Sequence, residues 1–459
     1  MFDAAFWRMI ERHGHRMNIY FISLGCDKNL VDSENMLGIL HENGYRITNE
    51  EQEADIIIVN TCCFIHDAKQ ESINAILEMA EYKKNGNLKA LIVAGCLAER
   101  YKEEILTEIP EVDALLGTSS FSEILKVIKK IMEGNTKHSC FVSLDKLPKT
   151  ESKRMLTSGT YSTYLKIAEG CDKHCTYCII PQVRGNYRSV PMEDLISEAE
   201  YLASQGVKEL ILVAQETTVY GKDLYGEKSL PKLLSALAKI ENIQWIRILY
   251  CYPEEITDEL IDAMKKEAKI CRYLDIPIQH ASDRILKLMG RRTSKEDLIQ
   301  IISKLRSNLP DIVLRTTLIT GFPTETDEEH EELVEFVENM KFERLGVFTY
   351  SKEEQTPAAK LRPQITAKVK KQRQKEIMKL QQEIAFNRSH RLVGNSYQVL
   401  IEGRIADENN VYIGRTYMDA PSVDGFLFIH SERELISGDL VTAKVTGAKG
   451  YDLVGELID

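Results

Sequence analysis

The 459-residue sequence predicts an α/β protein in three parts: a doubly wound parallel-sheet N-terminal domain, a (β/α) barrel, and a small C-terminal antiparallel β-barrel. Three observations carry this. Strand-like and helix-like segments alternate from residue 17 to residue 363, the pattern of parallel sheets with helical crossovers. From residue 391 short β-rich runs, separated by Gly, Asn and Asp, take over. A polar, Lys/Arg-rich stretch without Gly or Pro, 364–390, stands between them.

Residues 1–16 carry charges inside a short apolar run and precede a second methionine, Met17. They read as an N-terminal extension rather than a secretory signal. Domain 17–140 follows. NIYFISLG, ADIIIVNTC, ALIVAGC and ALLGTSS read as strands. Helices are expected over VDSENMLGILHENG, ending at Gly44, and from about Asp67 to Lys84. Residues 137–160 are polar and mixed, as a linker is. In domain 155–363 six strands are expected near STYLKIAEG, VKELILVAQ, WIRILYC, YLDIPIQ, IVLRTTLIT and LGVFTYS. They make an incomplete or a closed barrel, with its chemistry at the C-terminal strand ends. Segment 364–390 reads as a solvated connecting helix. Segment 391–459, with five short strands, reads as the small barrel.

Composition narrows the function. Hydrophobic residues are 43% and charged residues 28%, ordinary for a globular protein. The net charge of −11 argues against a protein that coats nucleic acid, which needs a basic footprint. No run of 18 apolar residues appears, so no membrane span is expected. The expected location is cytoplasmic, and there the ten cysteines point to metal or catalysis rather than disulfides.

The strongest motif is EGCDKHCTYCIIPQVRG. Cys171, Cys175 and Cys178 are spaced C-x3-C-x2-C. Three thiolates on one loop can hold three irons of a [4Fe–4S] cube, leaving the fourth iron open to chelate a small molecule. A zinc site would ordinarily close with a fourth ligand, and His174, between the cysteines, is poorly placed for that. Cys26, Cys62 and Cys96 each end a predicted strand, on the sheet edge where ligands bind in open α/β sheets. Spacing alone leaves two readings: a second cube, or three small buried residues.

The C-x3-C-x2-C loop resembles the radical S-adenosylmethionine (SAM) superfamily. SLGCDKNLVDSE, VNTCCFIHDA and VAGCLAERY, with that barrel and the small C-terminal barrel, resemble the radical SAM methylthiotransferase family across nearly the whole chain. The resemblance implies an enzyme with two [4Fe–4S] clusters. Cys171, Cys175 and Cys178 would hold the radical SAM cluster, and Cys26, Cys62 and Cys96 an auxiliary cluster that carries the sulfur to be inserted. SAM would be both radical source and methyl donor, and the C-terminal barrel TRAM-like. Cys63 reads as packing. Gln215 and Glu216, with Thr217, are expected to wall the barrel top. Gln279 and Ser282, with His280, fall at another strand end and are expected to contact the cofactor pocket, the alternative being ordinary hydrogen-bonded residues. Arg315 would anchor the SAM carboxylate, sit near the clusters, or form a salt bridge.

The family divides into enzymes that modify tRNA adenosine and enzymes that modify a ribosomal protein. SLGCDKN, CIIPQVRG and GRTYMDAPSVDG resemble the second branch. Charge agrees: residues 391–459 hold six basic against eleven acidic side chains, a net of −5, which suits a basic protein partner better than RNA. Asp419 and Asp424 would be the docking charges. The implied reaction adds a methylthio group to the β-carbon of an aspartate in small-subunit ribosomal protein S-twelve, free or within the small subunit. An electron donor such as flavodoxin or ferredoxin and a sulfur source are the further implied partners. The rival readings are a tRNA adenosine methylthiotransferase and a non-enzymatic iron–sulfur carrier.

Overall fold

In the computed structural model, the described residues are 17–458 apart from 87, 136, 150, 151, 158, 407 and 409. The expected extension 1–16 lies outside them. The chain divides into two compact units. Residues 17–157 with 169–172 and 178–188 form the first; 159–168, 173–177 and 189–458 form the second.

The first unit is built on six parallel strands: β1 (Asn18–Ser23), β2 (Arg46–Ile47), β3 (Ile56–Thr61), β4 (Ala90–Gly95), β5 (Ala114–Leu116) and β6 (His138–Cys140), ordered β2-β1-β3-β4-β5-β6. Every residue of β3 (IIIVNT) and β4 (ALIVAG) is buried, as expected of central strands covered on both faces. Ile57, Val59, Leu91 and Val93 pack with Ile76 and Met79 of helix His66–Asn85. Ile56, Ile58, Ala90 and Ile92 pack with Met36, Ile39 and Leu40 of helix Asp27–Glu42. Each such aliphatic side chain contributes about 1.5–3 kcal/mol on burial, so the centre of the sheet is fixed firmly. The linker expected from residue 137 starts later: His138–Cys140 pairs with β5, Ala114 opposite His138. The short run His-Ser-Cys gives no strand signal of its own; its pairing with β5 makes it a strand.

In the second unit β7 (Ser162–Lys166) and the two-residue strands β8 (Ala168–Glu169) and β9 (Arg188–Ser189), the latter two at the border of the units, precede β10 (Glu209–Val213), β11 (Trp245–Ile248), β12 (Ile270–Asp275), β13 (Val313–Thr320) and β14 (Arg344–Thr349). β7 and β10–β14 make one parallel sheet ordered β14-β13-β12-β11-β10-β7. It is an incomplete barrel, the first of the two expected forms.

Helix Ala367–Leu392 follows, capped by the Thr366 hydroxyl, which accepts from Val369 N–H. It is not simply solvated. Arg373, Ile377, Gln381, Ala385 and Ser389 are buried, a spacing of four that puts them on one face. Gln381 Nε2 donates to Phe342 O at 2.9 Å, and Arg373 pairs with Glu325 at 2.8 Å. The buried stripe is half polar, so hydrophobic periodicity does not reveal it.

The last strands, β15 (Ser396–Arg404), β16 (Val411–Arg415), β17 (Leu427–His430), β18 (Leu440–Lys449) and β19 (Asp452–Leu457), close into a five-stranded barrel. It is antiparallel except where β17 meets β19, a parallel pair that seals it. Asp419 and Asp424 correct the docking expectation. Asp419 is buried, and the half-buried Asp424 keeps its side chain covered, between this barrel and the parallel sheet. Asp419 pairs with Arg344 and accepts from the Thr416 hydroxyl at 2.9 Å. Asp424 accepts from Tyr273 Oη at 2.7 Å and faces Arg315 at 3.6 Å. A covered carboxylate already paired with a guanidinium of its own chain is not offered to a partner. Nearby, Glu209 joins Arg247 (2.8 Å) and Arg415 (2.7 Å), all three with fully buried side chains. Burial alone would raise the Glu209 carboxyl, but the two arginines hold it down at about 2.

Candidate iron–sulfur and cofactor sites

The neighbouring strands β1, β3 and β4 run parallel, so their C-terminal ends share one edge. Cys26 is the residue before helix Asp27–Glu42, Cys62 directly follows β3, and Cys96 opens helix Cys96–Tyr101 after β4. Cys62 and Cys96 are buried and Cys26 is exposed. Gly25 has φ +90°, and a Cβ there would lie 2.5 Å from Cys62 Cβ and 2.9 Å from its Sγ. Only glycine lets the SLGC loop come so close.

Two side chains that sequence reasoning passed over tie these ends together. Asn29 Nδ2 donates to Leu24 O and Thr61 O, both at 2.9 Å, joining the loops that lead to Cys26 and Cys62. Thr61 Oγ1 donates to Ala94 O at 2.6 Å and accepts from Leu97 N–H at 3.3 Å, joining those of Cys62 and Cys96. A third is Arg184, fully buried, whose Nη1 lies 2.7 Å from Asp32 and 3.0 Å from Glu169 while Nη2 bonds Asn29 Oδ1. Burial pushes the Cys62 and Cys96 thiols up and the neighbouring thiols add to it, while Arg184 draws them back. Their only shared clue in the sequence is nearness to the cysteine motifs.

These residues fit an iron–sulfur cube. The thiols come from three separate loops, each free to meet a different iron. Among the described residues no three His, Cys, Asp or Glu gather around a single ion position, which is a different demand from that of a cube. Cys63 points elsewhere, its Sγ donating to Cys96 O at 3.3 Å within the apolar core.

On the C-x3-C-x2-C loop, Cys171 is buried with its N–H on Gly185 O at 3.1 Å, and Cys178 is half-buried just before helix Ile180–Arg184. Cys175, in the second unit, is buried with Sγ 3.6 Å from Tyr252 Oη. Thr176 beside it is held by Met289 O (2.9 Å) and Leu288 O (2.7 Å).

The other expected residues lie at strand ends of the second unit. Gln215 is half-buried after β10. Glu216 is buried, 3.6 Å from Lys173, and burial raises its carboxyl to about 7, against the pull of Lys173. Thr217 caps β11 by donating to Leu249 O at 2.7 Å. Gln279 has φ +74° and bridges to Leu318. His280 is fully buried, its Nδ1 accepting from Ser282 N–H at 3.0 Å, and burial lowers it to about 3. Ser282 caps helix Asp283–Leu288 and donates to Glu329 at 3.0 Å. Arg315 takes the salt-bridge alternative, pairing with Asp275 at 3.1 Å. Cys251 and Cys271 are buried, and Cys140 is half-buried on β6.

Three family profiles match the chain: "Uncharacterized protein family UPF0004" over residues 18–117, the Radical SAM superfamily over 165–337, and the TRAM domain over 393–458. The chain resembles a radical SAM methyltransferase, TsrM, of Kitasatospora setae, with a TM-score of 0.54 at 12% identity over 75% of this chain and 74% of that one. At that identity the likeness speaks for fold alone. Parallel-sheet domain, open radical SAM barrel and TRAM barrel together define a radical SAM methylthiotransferase.

Full-length relatives narrow this further. "Ribosomal protein uS12 methylthiotransferase RimO" of Lachnoclostridium phytofermentans is 65% identical over 96% of this chain and 99% of that protein. Those of Acetivibrio thermocellus and Clostridioides difficile are 52% and 51% identical over 97% and 96% of the chain, and 99% of each. The chain belongs to the RimO family of ribosomal protein uS12 methylthiotransferases. Membership carries with it SAM and a [4Fe–4S] cluster. Among the described residues no helix is long and apolar enough to cross a membrane.

Proposed function

We propose that this enzyme adds a methylthio group to the β-carbon of an aspartate in ribosomal protein uS12, using a second cluster on Cys26, Cys62 and Cys96. The observation that carries the two-cluster reading is the stitched edge of the first unit, where Asn29 and Thr61 hold three cysteine-bearing loops in register. The names of the full-length relatives support uS12 as the substrate. Cys171, Cys175 and Cys178 would hold the radical SAM cluster. When bound, that group supplies the electron that cleaves SAM and releases the deoxyadenosyl radical.

The chain's own residues do the rest. Lys173, anchored by Glu254 (3.2 Å) and Glu255 (2.5 Å), orders the loop between Cys171 and Cys175. Glu216, 3.6 Å from Lys173, would accept from the amino group of SAM when ionised, and burial, which raises its carboxyl to about 7, confines that form to neutral pH and above. Arg184 offsets negative charge among the thiolates. A low-potential electron carrier such as flavodoxin or ferredoxin and a sulfur donor complete the reaction, in the cytoplasm where ribosomal proteins reside.

Mass spectrometry of uS12 and of tRNA from cells with and without the gene tests the reading. A methylthio mass lost from uS12 alone is the expected result. Loss from tRNA alone transfers the enzyme to adenosine modification. Loss from neither overturns uS12 as substrate.

A further inference from the structure

The surroundings of Cys175 hold two groups with no part in the reaction as described so far. The Tyr252 hydroxyl is 3.6 Å from Cys175 Sγ. Its ring carries two cations: Arg291 with its guanidinium carbon 4.2 Å from the centroid, and Lys173 with its ammonium at 4.8 Å. Lys173 is neutralised by Glu255, Glu254 and Glu216. Arg291 is different. It is buried, Nη2 donates to Pro277 O at 3.0 Å, and Nε and Nη1 have no hydrogen-bond partner among the described residues. A buried guanidinium with two idle donors is costly unless a negative group completes it.

Ligation to iron removes the thiol proton of Cys175. The sulfur can then only accept, and the Tyr252 hydroxyl becomes the donor. Donors to cluster sulfurs favour the reduced, more negative state and are among the levers that set iron–sulfur potentials. From this geometry we infer that Tyr252 and Arg291 form a donor wall on the Cys175 side of the radical SAM cluster and raise its reduction potential. Both are positioning residues: Tyr252 acts through the Cys175 thiolate, and Arg291 through its charge and its stacking on the Tyr252 ring. The inference rests on Cys171, Cys175 and Cys178 binding that cluster.

The test uses full-length protein carrying Cys26→Ala, Cys62→Ala and Cys96→Ala, so that one cluster remains. Iron and sulfide are counted first, and the midpoint potential is then read by a dithionite titration followed by electron paramagnetic resonance. Tyr252→Phe keeps the ring and its cation contacts but removes the donor. It should load iron fully and shift the midpoint to more negative values. Arg291→Gln should shift it the same way and further, since it removes a charge. Arg291→Lys, which restores the charge without the fork, should recover part of the shift. A fully loaded Tyr252→Phe with an unchanged midpoint overturns the donor role. Unchanged midpoints in both overturn the wall. Failure of the parent triple variant to hold a four-iron cluster overturns the underlying cluster assignment instead, and is told apart by the iron count.

Discussion

Arg184 in the first unit and Glu209 in the second are both buried centres of ion networks, and they differ in what surrounds them. Glu209 and Glu402 face Arg247 and Arg415, two negative against two positive. Arg184 pairs with Asp32 and Glu169 and has Cys26, Cys62 and Cys96 close by. The balanced set is complete in itself and joins the TRAM barrel to the parallel sheet. The Arg184 set lies beside three thiols, and its guanidinium offsets the negative charge that three thiolates would bring. Buried charge alone thus does not mark a site; a buried cation beside grouped thiols does.

That contrast can be broken by experiment. The largest effects are expected at the cysteines. Cys175→Ala should abolish release of 5′-deoxyadenosine from SAM, whereas Cys62→Ala should keep that release and lose methylthiolation of uS12. Full methylthiolation by Cys62→Ala refutes the auxiliary assignment. Next come the two hubs. Removing one partner of a buried ion network costs about 3–5 kcal/mol. Glu209→Gln should lose that much in denaturant unfolding whether or not iron is loaded. Arg184→Met should lose it by an amount that changes on loading. Equal behaviour of the two variants would erase the distinction.

A smaller effect separates the two faces of helix Ala367–Leu392. Ile377→Ala should cost about 2–5 kcal/mol as a core truncation. Exposed Lys379→Ala should stay within about 0.5 kcal/mol. The smallest effect is pH-linked. His280 is lowered to about 3 by burial, among Glu325, Glu329, His330, Arg373 and Arg284. Between its ordinary value of 6.5 and about 3, the unfolded chain binds a proton that the folded one refuses, so stability falls as pH falls. The slope is at most about 1.4 kcal/mol per pH unit. His280→Asn removes it, so the variant should gain on the parent as pH drops through that window. A constant gap between them would show that His280 is protonated in the folded state.

The legibility of these features followed sequence distance. The three strand-end cysteines were visible because each closes a hydrophobic strand, and C-x3-C-x2-C because its ligands sit on one loop. Asn29 and Thr61 were not: an asparagine two residues into a helix and a threonine at a strand end are ordinary, and only the edge they stitch gives them meaning. Asp419 and Asp424 misled for the reverse reason. Their charge was counted as exposed, and the arginines that bury it, Arg315 and Arg344, lie about 75–110 residues away in the chain.

The sequence by itself determined the parallel and barrel classes, the main strands, and the spacing of the cysteine motifs, because hydrophobic period and local spacing are properties of short segments. Tertiary structure alone decided that the second sheet stays open, that β17 and β19 pair in parallel, that a polar helix buries one face, and which charges are spent inside the fold. Those outcomes depend on which distant groups meet, and a buried charge is stable only where its partner arrives with it.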